Sequence, residues 1–444
     1  MLPMSAPSES LHAAVDCRGG PNRVWGYESS RFPVQITNLG LPELGHPETH
    51  RQVIGSADLY QGGVLHRRLS TGPVPIPIAV GETATVGVDL DMKAFEGDYD
   101  LHFDLTRADG EPLNTKIVTA PVQVKNTIFE AFVELINSCN FRCSFCPQTT
   151  LQRPQKPMDF ELAQKVVRDL ADMGHHHPIR VHLLGEPLLY PRFFDFVDYA
   201  HEMGQRILLA TNGSRFEPET VAGIMRTGLD EMVVSLNTPD ETLYNEQRGT
   251  TVPYEEYLAG IERMIQAVAS GGAPPTTRIN VLYDYTRADD PEELARVRSI
   301  ANDWIRVVRE ATGEDLPDAE EAVSLEKGKT TLMALGEGIE LQWTSYHGWG
   351  EGKPPKEHFC SYPWRQLAVL VDGNTTACCV DAEGEIVLGN VTEKSVEEIW
   401  NGPELNRLRA GFERSRAVTP RCARCTMRHD RAEFFPDSAS LEVA

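Results

Sequence analysis

Residues 132–146 read FVELINSCNFRCSFC, an apolar strand-like run followed at once by three cysteines. The thiols of Cys139, Cys143 and Cys146 follow the spacing C-x3-C-x2-C. Three thiolates on one short loop can hold one face of a four-iron, four-sulfur cluster and leave one iron without a protein ligand. A free coordination position on iron implies that another molecule binds there. The alternative is a zinc site, although structural zinc usually takes four ligands and nothing nearby offers an obvious fourth.

Outward from this loop, apolar strands alternate with helical patterns. One helical run covers 161–173, with Asp159 as the expected N-cap and Gly174 just past the end, and another covers 293–308. This order predicts an α/β fold whose parallel sheet is rolled into a partial (β/α)6 barrel, assigned to residues 126–350. Ligands of such barrels sit at the carboxyl ends of the strands, where the cysteine loop falls. The six expected strands are 132–136, 179–184, 206–211, 232–237, 279–283 and 339–343.

The tail, residues 351–444, differs from the barrel segment in its sequence pattern and is too small to build a large apolar core. It predicts a small α+β cluster-binding domain with short strands such as 367–371 and one helix from Val396 to about Phe412. A bound metal would supply the missing cross-link. A zinc ribbon with four cysteine ligands is the alternative to an iron–sulfur cluster. The cysteines of the tail are Cys360, Cys378, Cys379, Cys422 and Cys425.

The first 125 residues alternate apolar and polar side chains over short runs separated by glycine, proline and Asp-Gly turns. The run YDLHFDL at 99–105 places its apolar residues on one face, and Gly62-Gly63 marks a hairpin. We predict a small antiparallel β-sandwich over residues 1–125. Since this segment contains only Cys17, which is most simply a small buried hydrophobe, we expect no metal here.

Composition limits the partners of the chain. Asp plus Glu total 65 against 42 Lys plus Arg, a formal charge of -23, which repels nucleic acid phosphates and anionic membranes. No apolar run approaches the roughly 20 residues that span a bilayer, and the first residues lack the features of an export signal. We therefore expect a cytoplasmic protein that binds neither nucleic acid nor membrane, whose clustered cysteines serve metals rather than disulfides.

The first cysteine set, with the aromatic Phe145 before its third thiol, resembles the signature of the radical SAM superfamily. That resemblance implies that S-adenosylmethionine (SAM) chelates the open iron of the cluster and is cleaved to a 5'-deoxyadenosyl radical. Other motifs occur in the family's order at strand ends, although Leu184 stands where the family usually has its first glycine. Strand-end capping or a surface ion pair is the alternative role for the polar residues among them. The SAM-contacting residues that the resemblance implies are Phe145, Gly185, Glu186, Pro187, Thr211, Asn212, Ser235, Asn237 and Arg248.

The tail resembles the twitch domain, the shortened form of the SPASM domain appended to many radical SAM enzymes. The resemblance implies one auxiliary four-iron, four-sulfur cluster held by Cys360, Cys378, Cys422 and Cys425. Cys379 adjoins Cys378, and only one of two adjacent strand residues can face the cluster. We choose Cys378, because Gly373 precedes it by the spacing of that family. A cluster with four protein ligands has no open iron, so it is expected to transfer electrons.

These resemblances imply an oxidation. The radical would remove hydrogen from a hydroxyl-bearing carbon of a carbohydrate-like or aminocyclitol substrate, and the auxiliary cluster would accept the remaining electron. Epimerisation or dehydration of such a substrate is the alternative reaction. The N-terminal sandwich resembles Ig-like domains of polysaccharide pathways, which favours a sugar. The base could be Tyr190, Tyr283, His347 or Arg248, and the electron donor a flavodoxin or ferredoxin.

Two hypotheses from other classes remain. The chain could be a peptide maturase that forms a crosslink or thioether. It could also be a non-catalytic metal-binding scaffold with zinc at both sites, which the run of SAM motifs argues against.

Overall fold

The computed structural model describes residues 11–18, 23–25, 29–91, 97–110, 113–125, 127–238, 240–271, 275–283, 289–322, 331–345 and 359–426. The chain divides between Thr127 and Ile128 into two compact units. The second unit contains both the predicted barrel segment and the cysteine-rich tail. No helix in the described ranges is long and apolar enough to cross a bilayer.

The first unit consists of a four-stranded and a five-stranded sheet whose buried residues form a single core. Its short helix is α1 (Pro42–Gly45). The apolar residues of 99–105 are buried as predicted, and the Gly62-Gly63 hairpin joins β4 to β5 with both glycines at positive φ. The strands are β1 (Ala13–Asp16), β2 (Arg23–Trp25), β3 (Ser29–Asn38), β4 (Val53–Gln61), β5 (Val64–Pro73), β6 (Thr83–Asp91), β7 (Gly97–Arg107), β8 (Thr115–Val118) and β9 (Ala120–Lys125).

The strand orders are β6-β3-β1-β8 and β2-β9-β7-β4-β5. Most neighbours are antiparallel, but β1 pairs with β8, and β2 with β9, in parallel. These two pairs bring together segments about a hundred residues apart. Local alternation carries no information about such partners, which is why the sequence suggested antiparallel pairing throughout.

The second unit contains one ten-stranded sheet of order β15-β16-β14-β13-β12-β11-β10-β17-β18-β19. The seven strands from β16 to β17 in this order run parallel. Six of them overlap the strands predicted for the barrel, and the seventh, β17, overlaps the run 367–371 predicted in the tail. The strands are β10 (Glu130–Val133), β11 (Ile179–Arg180), β12 (Ile207–Thr211), β13 (Glu231–Asn237), β14 (Thr276–Tyr283), β15 (Thr331–Ala334), β16 (Ile339–Ser345), β17 (Gln366–Val369), β18 (Asn374–Thr376) and β19 (Gly389–Asn390).

Helices connect these strands and cover one face of the sheet. Helix α2 begins as predicted: Asp159 accepts hydrogen bonds from the backbone N–H groups of Glu161 and Leu162, and Gly174 follows the end at φ 79°. The helices are α2 (Phe160–Asp172), α3 (Phe193–Glu202), α4 (Pro218–Thr227), α5 (Glu241–Gln247), α6 (Tyr254–Ser270), α7 (Pro291–Thr312), α8 (Ala319–Ala322), α9 (Val396–Trp400), α10 (Pro403–Glu413) and α11 (Pro420–Ala423).

The predicted single helix from Val396 to about Phe412 is wrong. The structure has α9 and α10 instead, separated at Gly402-Pro403. Proline lacks the N–H that would continue α9, and it fits the first turn of a new helix.

One hydrophobic core joins the parallel strands, their helices and the tail. The alternate strand residues Val234, Ile279, Val281 and Leu341 face this core. Because seven neighbouring strands are parallel, their carboxyl ends meet at one edge. The loops that carry the predicted site residues leave the sheet at that edge.

Candidate functional site

The first cysteine loop is anchored by its backbone. The Arg142 N–H donates to the Arg248 carbonyl at 3.0 Å, and the Ser144 N–H donates to the Gln247 carbonyl at 2.8 Å. The loop therefore lies against the turn that ends α5. Its residues Cys139, Cys143, Phe145 and Cys146 are half-buried, and the three thiols are free.

Two glycines allow the close approach of this loop to its neighbours. A Cβ at Gly185 (φ 83°) would lie 2.3 Å from the Ile136 carbonyl oxygen and 2.8 Å from that of Ser138. A Cβ at Gly249 (φ 55°) would lie 2.5 Å from the Arg142 carbonyl oxygen. Glycine is needed at both positions because a side chain would clash with the neighbouring backbone and because φ is positive there. Gly249, which follows the predicted Arg248, was not singled out from the sequence.

The Glu186 carboxylate joins two strand ends. It accepts hydrogen bonds from the Thr211 hydroxyl at 2.7 Å, the Asn212 backbone N–H at 2.7 Å and the Leu188 N–H at 3.1 Å. Glu186 is 1% exposed, and this burial raises its pKa while the hydrogen bonds oppose the rise. The adjacent Pro187 opens a short 3-10 turn. Predicted residues from two strand ends thus meet here.

Asn212 connects this group to the cysteines. Its Nδ2 lies 3.6 Å from the Cys139 sulfur and donates to Asn140 Oδ1 at 3.0 Å. Its carbonyl oxygen accepts a hydrogen bond from the Tyr257 hydroxyl at 3.0 Å.

Arg248 is a buried cation beside the loop. Its Nη2 donates to the Ser235 carbonyl at 3.1 Å and to the Asn212 carbonyl at 3.5 Å, and its guanidinium lies 4.8 Å from the centre of the Phe141 ring. Its Nε has no hydrogen-bond partner among the described residues. Burial raises the pKa of Cys143, and the Arg248 charge opposes that rise. A buried cation that still has a donor to offer suits an anionic group of a ligand.

Asn237 ends β13 in a strained conformation. Its φ is 55°, the pairing of β13 with β14 shifts register between Ser235 and Asn237, and its buried Oδ1 has no partner within the described ranges. Asparagine tolerates left-handed backbone better than most residues, so the amide is presented at a cost of about 1 kcal/mol or more. An unpaired acceptor at this edge suits a donor group of a ligand.

Four of the tail cysteines face one cavity. Cys360, Cys378, Cys422 and Cys425 all line it, whereas Cys379 does not. The Cys379 N–H donates to the Gln366 amide oxygen at 2.7 Å, which fixes its orientation. Its side chain packs against a separate apolar cluster formed by Phe132, Leu183, Ala368 and Leu370. The donor set and its enclosure fit a cluster with four thiolate ligands.

The candidate bases are dispersed. The Tyr190 hydroxyl donates to the Met158 carbonyl at 3.0 Å, and burial raises the pKa of Tyr190 to about 12, which disfavours a role as base. Tyr283 is the last residue of β14, but its side chain lies outside the described part of the structure. His347 lies outside the described residues altogether. Arg248 belongs to the group around Asn212 described above.

The structure adds a polar row that the sequence reading missed. Ser235 pairs in register with Asn280, and Asn280 with Gln342, so the three side chains share the face of the sheet opposite the helices. All three are half-buried, and the Asn280 Oδ1 lacks a partner among the described residues. The sequence does contain a sign of this row, because polar residues alternate with apolar ones in strands that were expected to be buried.

His182 lies on the same face, next to β10. Its ring meets the Phe132 ring edge-on at 5.5 Å, and its buried Nδ1 has no partner in the described ranges. Burial, and then the charge of Arg180, lower the pKa of His182 to about 3, so the ring is a neutral hydrogen-bonding group. An isolated histidine in an apolar run gives no sequence signal that separates such a group from a core residue.

Comparison with protein families finds a match over each of the two cysteine-bearing segments. The model of the radical SAM superfamily matches residues 133–297. The model of the SPASM iron–sulfur cluster-binding domain matches residues 360–426. Residues 133–297 therefore carry a radical SAM domain, and residues 360–426 carry a C-terminal SPASM domain.

Curated relatives are distant. The AdoMet-dependent heme synthase of Methanosarcina barkeri is 31% identical over 135 residues, 30% of this chain and 38% of that protein. The chain thus spans little more than a third of the heme synthase. The tungsten-containing aldehyde ferredoxin oxidoreductase cofactor-modifying protein of Pyrococcus furiosus is 24% identical over 68% of this chain and 88% of that protein. For the mycofactocin maturase MftC of Mycolicibacterium smegmatis the identity is 22%, over 62% of this chain and 70% of that protein.

Solved structures with similar chains include BtrN in complex with AdoMet and 2-DOIA, at a TM-score of 0.38 and 15% identity, covering 66% of this chain and 89% of that one. Streptococcus suis SuiB bound to its precursor peptide SuiA has a TM-score of 0.44 and 16% identity, covering 68% and 70%.

Proposed function

We propose that this chain oxidises a hydroxyl-bearing carbon of a carbohydrate-like or aminocyclitol substrate by radical SAM chemistry. When bound, SAM and its cluster would supply the 5'-deoxyadenosyl radical that takes a hydrogen atom from the carbon, a base would take the hydroxyl proton, and the auxiliary cluster would take up the remaining electron. The proposed substrate class rests on one observation, the uncharged polar row of Ser235, Asn280 and Gln342. His182 lies on the same face of the sheet. Hydroxyl groups can both donate to and accept from such side chains.

The first cluster would be held by Cys139, Cys143 and Cys146, and SAM by the polar groups around them. The unpaired Arg248 Nε suits a carboxylate, and the unpaired Asn237 Oδ1 suits an ammonium or hydroxyl donor. We infer that the parallel sheet curves into the predicted partial barrel, with this group at its carboxyl edge and the polar row inside. A flavodoxin or ferredoxin would provide the reducing electron.

Ligand number favours a cluster over zinc at the first site. The C-x3-C-x2-C loop offers three thiols, whereas structural zinc usually takes four ligands, and a four-iron cluster can leave one iron open to another ligand.

Anaerobic reconstitution tests the two-cluster assignment. We expect roughly eight irons per chain, and zinc alone or about four irons would contradict it. Cys143→Ala should abolish 5'-deoxyadenosine formation from SAM and dithionite, because it removes a ligand of the open cluster. Cys378→Ala should lose the auxiliary cluster, while Cys379→Ala keeps it.

A panel of aminocyclitols and unmodified sugars tests the substrate class. We expect at least one member to stimulate 5'-deoxyadenosine formation by the wild-type chain and to yield a ketone. His182→Ala and Asn280→Ala should reduce that stimulation by about tenfold or more while SAM cleavage without substrate persists. Stimulation by none of the panel would overturn the class but leave the radical chemistry intact.

Peptide modification is the second candidate, favoured by the alignment with the mycofactocin maturase over 62% of this chain. It predicts that a short precursor peptide, encoded beside this chain, binds it and stimulates 5'-deoxyadenosine formation. A mass change in that peptide would establish this function in place of sugar oxidation.

A further inference from the structure

The cavity of the tail cysteines contains one cation. Among the described residues that line it, Arg421 is the one with a side chain charged at neutral pH. The remaining lining is apolar except for one phenol, and comprises Phe359, Tyr362, Pro363, Ala377, Val380, Ile386, Leu408 and Phe412. A charge in such surroundings acts through a lower effective dielectric constant than it would in water.

Local contacts hold Arg421 in this position. Arg421 belongs to α11 and directly precedes Cys422, a proposed cluster ligand. The N-cap Thr419 of this helix accepts a hydrogen bond from the Cys422 N–H at 3.1 Å. The Arg421 Nη2 donates to the Val380 carbonyl at 2.7 Å, two residues after Cys378. Its side chain is only 14% exposed. The guanidinium therefore bridges the two segments that carry Cys378 and Cys422.

A buried carboxylate lies beside the Arg421 guanidinium. The Arg421 Nε is 4.0 Å from the carboxylate of Asp381, which is fully buried and does not line the cavity. That carboxylate accepts hydrogen bonds from the Thr376 hydroxyl at 2.8 Å and from the N–H groups of Ile386 at 2.9 Å and Glu385 at 3.1 Å. Asp381 thus organises the loop and opposes the charge of Arg421, so neutralising Arg421 would also leave this buried carboxylate without its neighbouring cation.

We propose that Arg421 raises the reduction potential of the auxiliary cluster and so fits it to accept the electron released by substrate oxidation. The proposal rests on the assignment of that cluster to Cys360, Cys378, Cys422 and Cys425. A four-iron cluster with four thiolate ligands is an anion, and it gains one further negative charge when it takes one electron. A neighbouring cation stabilises the reduced form more than the oxidised form, and net charge is one of the terms that set the potential of such clusters.

The test is a redox titration of the full chain by electron paramagnetic resonance, in a Cys143→Ala background that leaves only the auxiliary signal. Arg421→Gln removes the charge but keeps a donor for the Val380 carbonyl, and we expect its midpoint potential to fall. Arg421→Lys keeps the charge and should retain most of the wild-type potential. Arg424→Gln is the matched control, since Arg424 lies three residues further along and pairs with Glu385 on the surface, with 54% of its side chain exposed. It should leave the potential unchanged.

An unchanged potential in Arg421→Gln, or an equal fall in Arg421→Lys and Arg421→Gln, would overturn the proposal. Arg421→Met provides a second neutral variant. If both neutral variants lose iron while Arg421→Lys retains it, the residue serves cluster assembly, and the proposal is wrong. Absence of any auxiliary signal in the Cys143→Ala parent would instead overturn the cluster assignment, and the proposed function with it.

Discussion

At Gly185 the chain passes so close to the cysteine loop that backbone atoms occupy the space of a side chain. The two carbonyl oxygens that a Cβ would meet, those of Ile136 and Ser138, belong to the segment between β10 and Cys139. The Glu186 N–H also donates to the Ser138 carbonyl at 3.0 Å. A single residue therefore sets how the first cysteine approaches the second strand end. The sequence resemblance marked this glycine, but the reason for it is a contact between distant segments.

Gly185→Ala should lower the free energy of unfolding by roughly 2–4 kcal/mol, because it combines a strained φ with a backbone clash. Gly204→Ala is the control: φ is 72° there, but nothing lies within 4 Å of the added Cβ. That change should cost about 1–2 kcal/mol. Urea unfolding and iron content after reconstitution measure both effects, and equal losses in the two variants would contradict the role of the contact.

The burial of His175 predicts that the folded protein loses stability in acid. Burial, and then the charges of His177 and His176, lower the pKa of His175 from 6.5 to about 3. The unfolded chain therefore binds a proton below pH 6.5 that the folded chain does not. Stability is greatest above that pH and falls as the pH falls toward 3. Between pH 7 and 5.5, wild type should lose about 1 kcal/mol more than His175→Leu in urea unfolding. If the unfolding free energies of the two proteins changed equally with pH, His175 would not be the cause of the acid sensitivity.

At the scale of elements, a buried ion pair joins three segments of the second unit. Glu134, fully buried just after β10, accepts hydrogen bonds at 2.9 Å from both terminal nitrogens of Arg153. The Arg153 Nε donates to the Ala382 carbonyl at 2.8 Å, and the Val371 N–H donates to Glu134 at 3.2 Å. The segment after the first cysteine loop is thus fastened to the tail that carries the second set. No local pattern links these residues, which lie far apart along the chain.

A double-mutant cycle tests this link. Arg153→Met should cost about 3–5 kcal/mol of unfolding free energy, because it leaves the Glu134 carboxylate buried without its partner. Adding Glu134→Gln removes the charge and should recover part of that loss, so the double variant is more stable than Arg153→Met alone. Urea unfolding of the four proteins gives the coupling. Strictly additive losses would show that the pair does not act as a unit.

At the scale of the molecule, each of the two units has its own main hydrophobic core. One belongs to the two sheets before Thr127, and the other joins the parallel sheet, its helices and the tail. Strand β17 from the tail pairs in parallel with β10, from Glu130–Gln366 to Val133–Val369. The tail therefore completes the sheet that carries the first cysteine loop.

We expect residues 1–127 and 128–444, expressed separately, each to unfold cooperatively, because each retains its own core. Residues 128–345 should fail to do so, since this piece loses β17 and uncovers Phe132 and Leu183, which pack against Ala368 and Leu370. Thermal melts followed by circular dichroism distinguish the three pieces. Cooperative melting of 128–345 would show that the tail is an independent appendage.

The sequence by itself determined the cysteine spacings, the six central strands, the capped helix after Asp159 and the polar residues at the strand ends. These features are local, because side-chain period, caps and ligand spacing are set by residues close together in the chain. Tertiary structure decided that β17 lies beside β10, that Cys379 turns away from the cavity of Cys378, and that Arg421 enters that cavity. It also aligned Ser235, Asn280 and Gln342 across three strands. Such relations depend on register and on pairing between segments remote in sequence, which only the packed core selects.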